Sequence, residues 1–107
     1  MTRVIRYEPM KYFKGYFMEV TDEESSRGKQ RKKHIATLHI IAEDDLTFYD
    51  GPTNQFPRLL VRNCTTGAEE HERLGHFPQE QIERALDGMV ASFSGYPGSI
   101  TIHGKRR

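Results

Sequence analysis

The sequence predicts one α+β domain: a mainly antiparallel sheet of five to six strands, with one principal amphipathic helix near the C-terminus packed on one face. Three observations predict it. Short runs rich in β-branched and aromatic residues recur between proline, glycine and charged breaks. One segment alone carries a sustained helical apolar period. A chain of 107 residues is long enough for one core and too short for two.

The elements follow in order. Arg3 to Pro9 reads as a first strand, stopped by a proline that cannot donate to a ladder. Lys11 to Val20 reads as a second, with the Pro-Met pair between them serving as a tight connection. The next thirteen residues, Thr21 to Lys33, hold no apolar side chain, so they are expected to form a mobile charged loop or a solvated hairpin tip. His34 to Ala42 is apolar on both of its alternating faces, as a central strand would be. Leu46 to Gly51 and Arg58 to Asn63 read as further strands. Cys64 to Phe77 reads as a loop with a short helix, because Thr66 and Glu69 have capping-box spacing and Gly75 can end a turn.

From Pro78 to Phe93, residues Ile82, Ala85, Leu86, Met89, Val90 and Phe93 fall on one helical stripe. Pro78 suits the first helical position, Glu80 suits the first turn, and Glu80 with Arg84 makes an i, i+4 pair. Gly88 within this helix suggests close packing against a neighbour. Ser99 to His103 forms a last strand, and residues 104–107 form a basic tail.

Hydrophobic residues are 36%, charged residues 29% and the mean hydropathy is −0.73, which describes a polar globular chain. The net charge of +1 conceals segregation. Residues 1–40 carry nine basic and five acidic side chains, and residues 41–100 carry four basic and ten acidic. This does not describe an overall basic nucleic-acid binder, but it does describe a local basic patch. The single cysteine, Cys64, excludes an internal disulfide and fits a reducing compartment. The first twenty residues carry charges throughout, and no apolar run approaches the length of a membrane span. A soluble, cytoplasmic protein with no membrane partner is expected.

The candidate chemistry begins in the second strand. Lys14, Gly15 and Tyr16 match the start of the basic-Gly-aromatic signature of RNA-binding sheets, and Phe17, Met18 and Glu19 then depart from it. Alternation puts Phe13 and Phe17 on one face, assigned to the core beneath the helix. Tyr12, Lys14 and Tyr16 are left as an outer surface on which bases could stack. Arg27, Lys29, Arg31, Lys32 and Lys33 form one basic cluster, and Lys105, Arg106 and Arg107 form another. Converged, they would neutralise several phosphates. The acids Asp22, Glu23 and Glu24, directly before the first cluster, weigh against that.

No catalytic constellation is legible. Cys64 resembles the nucleophile of a phosphate-binding loop, but Glu70 stands where that loop needs an arginine. His71 and His76 lie about 140° apart on a helix and cannot converge there. The acids of Ala42 to Leu46, with Asp50, read as a solvated turn. No cofactor is implied. The reading favoured by sequence is a small non-catalytic binding or regulatory module with an electrostatically guided protein partner. Its alternatives are a nucleic-acid-associated module and a small metal-dependent enzyme. Apolar residues on both strand faces leave a homodimer open.

Overall fold

A computed structural model describes residues 1–12, 14–42 and 58–107. The chain forms β1 (Thr2–Pro9), β2 (Gly15–Ser26), β3 (Lys29–Ala42), β4 (Arg58–Asn63), β5 (Glu69–Arg73), α1 (Pro78–Ser94) and β6 (Ser99–Gly104). The described strands make one mixed sheet in the order β5-β4-β3-β2-β1-β6. Every neighbouring pair is antiparallel except β1–β6, which is parallel. The α+β class, the main helix and the mostly antiparallel sheet agree with the sequence. The expected strand at Leu46 to Gly51, the acids after Ala42 and the assignment of Phe13 lie outside the described residues.

The helix forms where its apolar period runs, and Pro78 opens it without an unmet N–H. Its stripe buries Ile82 and Leu86 fully, and Ala85, Met89, Val90 and Phe93 pack around them. They cover Ile5 of β1, Met18 and Val20 of β2, Leu38 and Ile40 of β3, and Leu59 of β4. The β-carbon position of Gly88 meets nothing within 4 Å, so the close packing expected there is absent.

Three readings are corrected. The first concerns the facing of β2. Tyr16, not Phe17, lies under the helix, fully buried beside Met18 and Val20. Phe17 lies on the opposite face against His39, with ring centroids 5.5 Å apart. Strand parity is all-or-none, so one wrong assignment inverts every residue. Tyr16 tolerates the core because its hydroxyl emerges at the helix rim and donates to Glu83 Oε1.

Secondly, the expected short helix after Cys64 is the hairpin β4–β5. Asn63 Oδ1 accepts from the N–H groups of Thr65 and Thr66, and Gly67 takes φ 80°. These side-chain and glycine contacts turn the chain back before a helix can start. Arg62 then pairs with Glu69 across the two strands.

Thirdly, the tight Pro-Met connection is replaced by a longer one, and β2 begins at Gly15. That residue sits at φ 149° opposite Ile41, and a β-carbon on it would lie 1.9 Å from the Ile40 carbonyl oxygen. No side chain fits this approach. Gly15→Ala is expected to destabilise the fold by about 2 kcal/mol or more. Denaturant titration with an unchanged midpoint would contradict it.

His39 generates a second expectation. Burial between Phe17 and the Arg62 guanidinium pushes its imidazole below the usual value of 6.5. Its protonated form is therefore penalised in the folded state only. Stability is fully present above about pH 6.5 and falls as the unfolded chain begins to bind the extra proton. His39→Gln should remove the part of this loss that precedes carboxylate titration, which thermal melts from about pH 7.5 to about pH 5 would show.

Candidate nucleic-acid interface

The charged segment 21–33 is a hairpin. Ser26 pairs with Lys29, and Arg27 and Gly28 between them take φ 50° and 74°, both positive as a two-residue type I′ turn requires. β1 pairs with β2 only as far as Glu23, and β4 pairs with β3 only from Leu38 onward. Beyond these limits the hairpin, residues 24–31, is among the described residues a two-stranded arm paired only to itself, with Lys32 and Lys33 at its base opposite Glu23 and Asp22. The long axis of the described chain measures 57 Å against 24 and 22 Å across.

A register shift between Val20 and Thr21 separates the arm from the core. Val20 pairs with Ala36, but Thr21 pairs with His34, so Ile35 is an extra residue on β3. Before the shift, Ala36, Leu38 and Ile40 face the helix. Beyond it, Lys33, Arg31 and Lys29 take that side of the ribbon. With Arg27 at the tip they form a row of four cations. A cavity of about 320 Å³ on this side is lined by Glu24, Ser26, Arg27, Lys29 and Arg31.

Two of the three acids before the cluster have charged partners. Asp22 accepts two hydrogen bonds from Arg3, at 2.9 and 3.1 Å, and these hold its carboxyl below the usual range. Glu23 accepts from the Thr21 hydroxyl and from Arg6, with Lys32 at 3.9 Å, and its carboxyl is likewise lowered. Glu24 stands opposite Arg31. Counting Arg3 and Arg6, seven cations meet three acids, a local balance of +4. Arg27, Lys29, Arg31 and Lys33 make no ion pair with a described side chain. Arg3 and Arg6, which neutralise the base of the arm, are the functional residues that sequence reasoning missed. They lie 19 and 17 positions from their carboxylate partners, beyond any local charge pattern.

The other predicted residues do not join the arm. Tyr12 is 84% exposed with the Lys11 ammonium 5.8 Å from its ring, and Lys14 is exposed beside it. Tyr16 offers no ring to a base, so the Tyr12-Lys14-Tyr16 stacking surface is not formed. The basic tail lies near Tyr16, about 33 Å along β2 from Ser26. Lys105 N–H donates to the Tyr7 carbonyl, and Arg106 bonds Glu83 and Asp87 at 2.6 and 2.5 Å with its guanidinium over the Tyr7 ring. Arg107 N–H donates to the Tyr16 hydroxyl, and its guanidinium donates to the Met10 carbonyl. The tail is a strap across sheet and helix, and the two basic clusters do not converge.

Among the described residues, nucleophile and metal chemistry gain no support from the fold. Cys64 is exposed, its N–H donates to the Thr37 carbonyl, and Glu70 lies in β5 opposite Val61. Among the described residues no three His, Cys, Asp or Glu side chains gather as a metal site. A larger cavity of about 510 Å³ lies against β1, β2 and β6, where Arg6, Lys105 and His103 alternate with Glu8, Glu19 and Phe17. Its cations and acids balance, so it favours no charge on a ligand. Among the described residues no helix is long and apolar enough to cross a membrane. Comparison of the chain with protein-family models, curated proteins and solved structures finds no match.

The tail generates an expectation. Arg106→Ala removes the ion pairs to Glu83 and Asp87 and the cover over Tyr7. It should cost about 1 kcal/mol, the upper end for a partly exposed pair, while Lys105→Ala stays within about 0.5 kcal/mol. Equal melting temperatures for the two variants would refute the strap.

Proposed function

We propose that this protein is a non-catalytic binding module whose basic arm contacts the phosphate backbone of duplex DNA. One observation carries the reading: four cations share one side and the tip of a projecting ribbon, while two of the three acids before them, Asp22 and Glu23, are tied to Arg3 and Arg6 at its base. A two-stranded ribbon has the dimensions of an occupant of the B-form major groove. Lysines and arginines along it would meet phosphates and displace counterions, giving affinity with little sequence preference. In the sequence alone, Asp22, Glu23 and Glu24 count against nucleic acid, because they would repel a phosphate backbone. The ion pairs of Asp22 and Glu23 answer that objection for two of the three acids.

The test is fluorescence anisotropy with a labelled duplex of about 20 base pairs, between about 50 and 200 mM salt. Four phosphate contacts would give a slope of log K against log salt of about −3.6. Lys29→Glu with Arg31→Glu should weaken binding more than tenfold, whereas Lys105→Glu, on the strap, should leave it within about twofold. Absence of binding at the lower salt would sink the reading and turn attention to an acidic protein surface as the arm's occupant.

A further inference from the structure

The two edges of the sheet are built differently. β5 presents Glu69, Glu70, His71, Glu72 and Arg73, all exposed, and a charged strand of this kind rejects further pairing. β6 presents Ser99, Ile100, Thr101, Ile102, His103 and Gly104, also all exposed, with no acidic, lysine or arginine side chain among them. Among the described residues the exposed large apolar side chains are Met1, Tyr12, Phe77, Ile100 and Ile102. Two of these are on β6, and Met1 adjoins it, with its carbonyl against Gly98 and its sulfur accepting from the Tyr96 hydroxyl.

We propose that the β6 edge joins two copies of this chain, β6 pairing antiparallel with β6 of the second copy to make one continuous sheet. The backbone direction supports it. Lys105 N–H points inward to the Tyr7 carbonyl, so by alternation the N–H and C=O groups of Thr101 and His103 also face β1. Those of Ile100 and Ile102 face outward, unused by the described strands. A two-fold axis through Thr101 sets Ile100 of each copy opposite Ile102 of the other, in hydrogen-bonded pairs that use all four of these outward groups per copy. Thr101 then faces its own counterpart, and Ser99 faces His103.

The pattern Ile-Thr-Ile is its own complement in this register, which is what a symmetric interface demands of a single strand. The four isoleucines fall on one face, the face that carries the helices, and pair across the junction. No like charges meet within the paired strands, and the chain's net charge of +1 opposes association only weakly. Two copies meeting instead through β5 would bring Glu69, Glu70 and Glu72 of each together. This pairing stands independently of DNA binding, since residues 24–33 take no part in it.

Sedimentation of the full chain from about 1 to 200 µM tests it, the narrow edge predicting a micromolar dimer of twice 12.4 kDa. Ile100→Lys with Ile102→Lys should raise the dissociation constant at least tenfold, and circular dichroism of the variant should match the parent, because both side chains are partly exposed. In a Cys64→Ser background, Thr101→Cys should form an intermolecular disulfide on mild oxidation, and Ser99→Cys should not. A monomer throughout the range, or a dimer indifferent to the lysine pair, would overturn the proposal.

Discussion

The antiparallel pairing of β2 with β3 is the interaction on which the other elements depend. It runs from Gly15 opposite Ile41 to Ser26 opposite Lys29, and it supplies both the floor of the core and the whole of the arm. The inner half is held by burial. Tyr16, Met18, Val20, Ala36, Leu38 and Ile40 face the helix, while β1 and β4 close the two outer sides. The outer half has no such support, and its order rests on the ladder and the two positive φ angles at Arg27 and Gly28. An isolated hairpin of this kind is marginal in water, so the arm depends on the buried half to hold its register. The extra residue Ile35 lies at the boundary, where it adds twist and gives the arm a facing of its own.

Charge acts on this sheet in two separate ways. At the base of the arm, Arg3 and Arg6 pair with Asp22 and Glu23, so β1 does electrostatic work for a segment that it does not extend beside. On β5, exposed acids occupy an edge, where they discourage another strand. The same residue types therefore anchor in one place and repel in the other, and backbone position decides which. A tally of net charge along the chain contains neither distinction.

What was legible in the sequence was whatever rests on local period. The helix from Pro78 is legible because its stripe repeats over about three turns and nothing else in the chain competes with it. The strand Arg58 to Asn63 is legible for its short apolar run, Leu59-Leu60-Val61, between polar ends. Parity of β2 was not, because aromatics occur on both of its faces and outweigh the quieter signal. That signal was present: Met18 and Val20 alternate with Glu19 and Thr21, and following it rather than the phenylalanines would have put Tyr16 inside. β5 was hidden because "EEHER" lacks every apolar mark of a strand, and an edge strand with both faces wet needs none. The ties that complete the candidate interface, Arg3 to Asp22 and Arg6 to Glu23, form only once β1 lies beside β2. Local periodicity does not reach them.

The arm and the β6 edge constrain each other geometrically. β2 lies two strands in from β6, so a pair of sheets joined through β6 would set the two arms about 24 Å apart across the strands. The joining strands run antiparallel, so the arms would leave from opposite ends of the combined sheet and point away from each other. Such a pair cannot close both arms around one short site as a clamp does. It can hold two separate duplex segments, or two distant stretches of one long duplex. In either case the second contact becomes intramolecular only when the DNA spans the full length of the dimer. A short duplex would therefore engage one arm at a time, with the affinity of a single ribbon, and any gain from pairing would emerge only as the DNA lengthens.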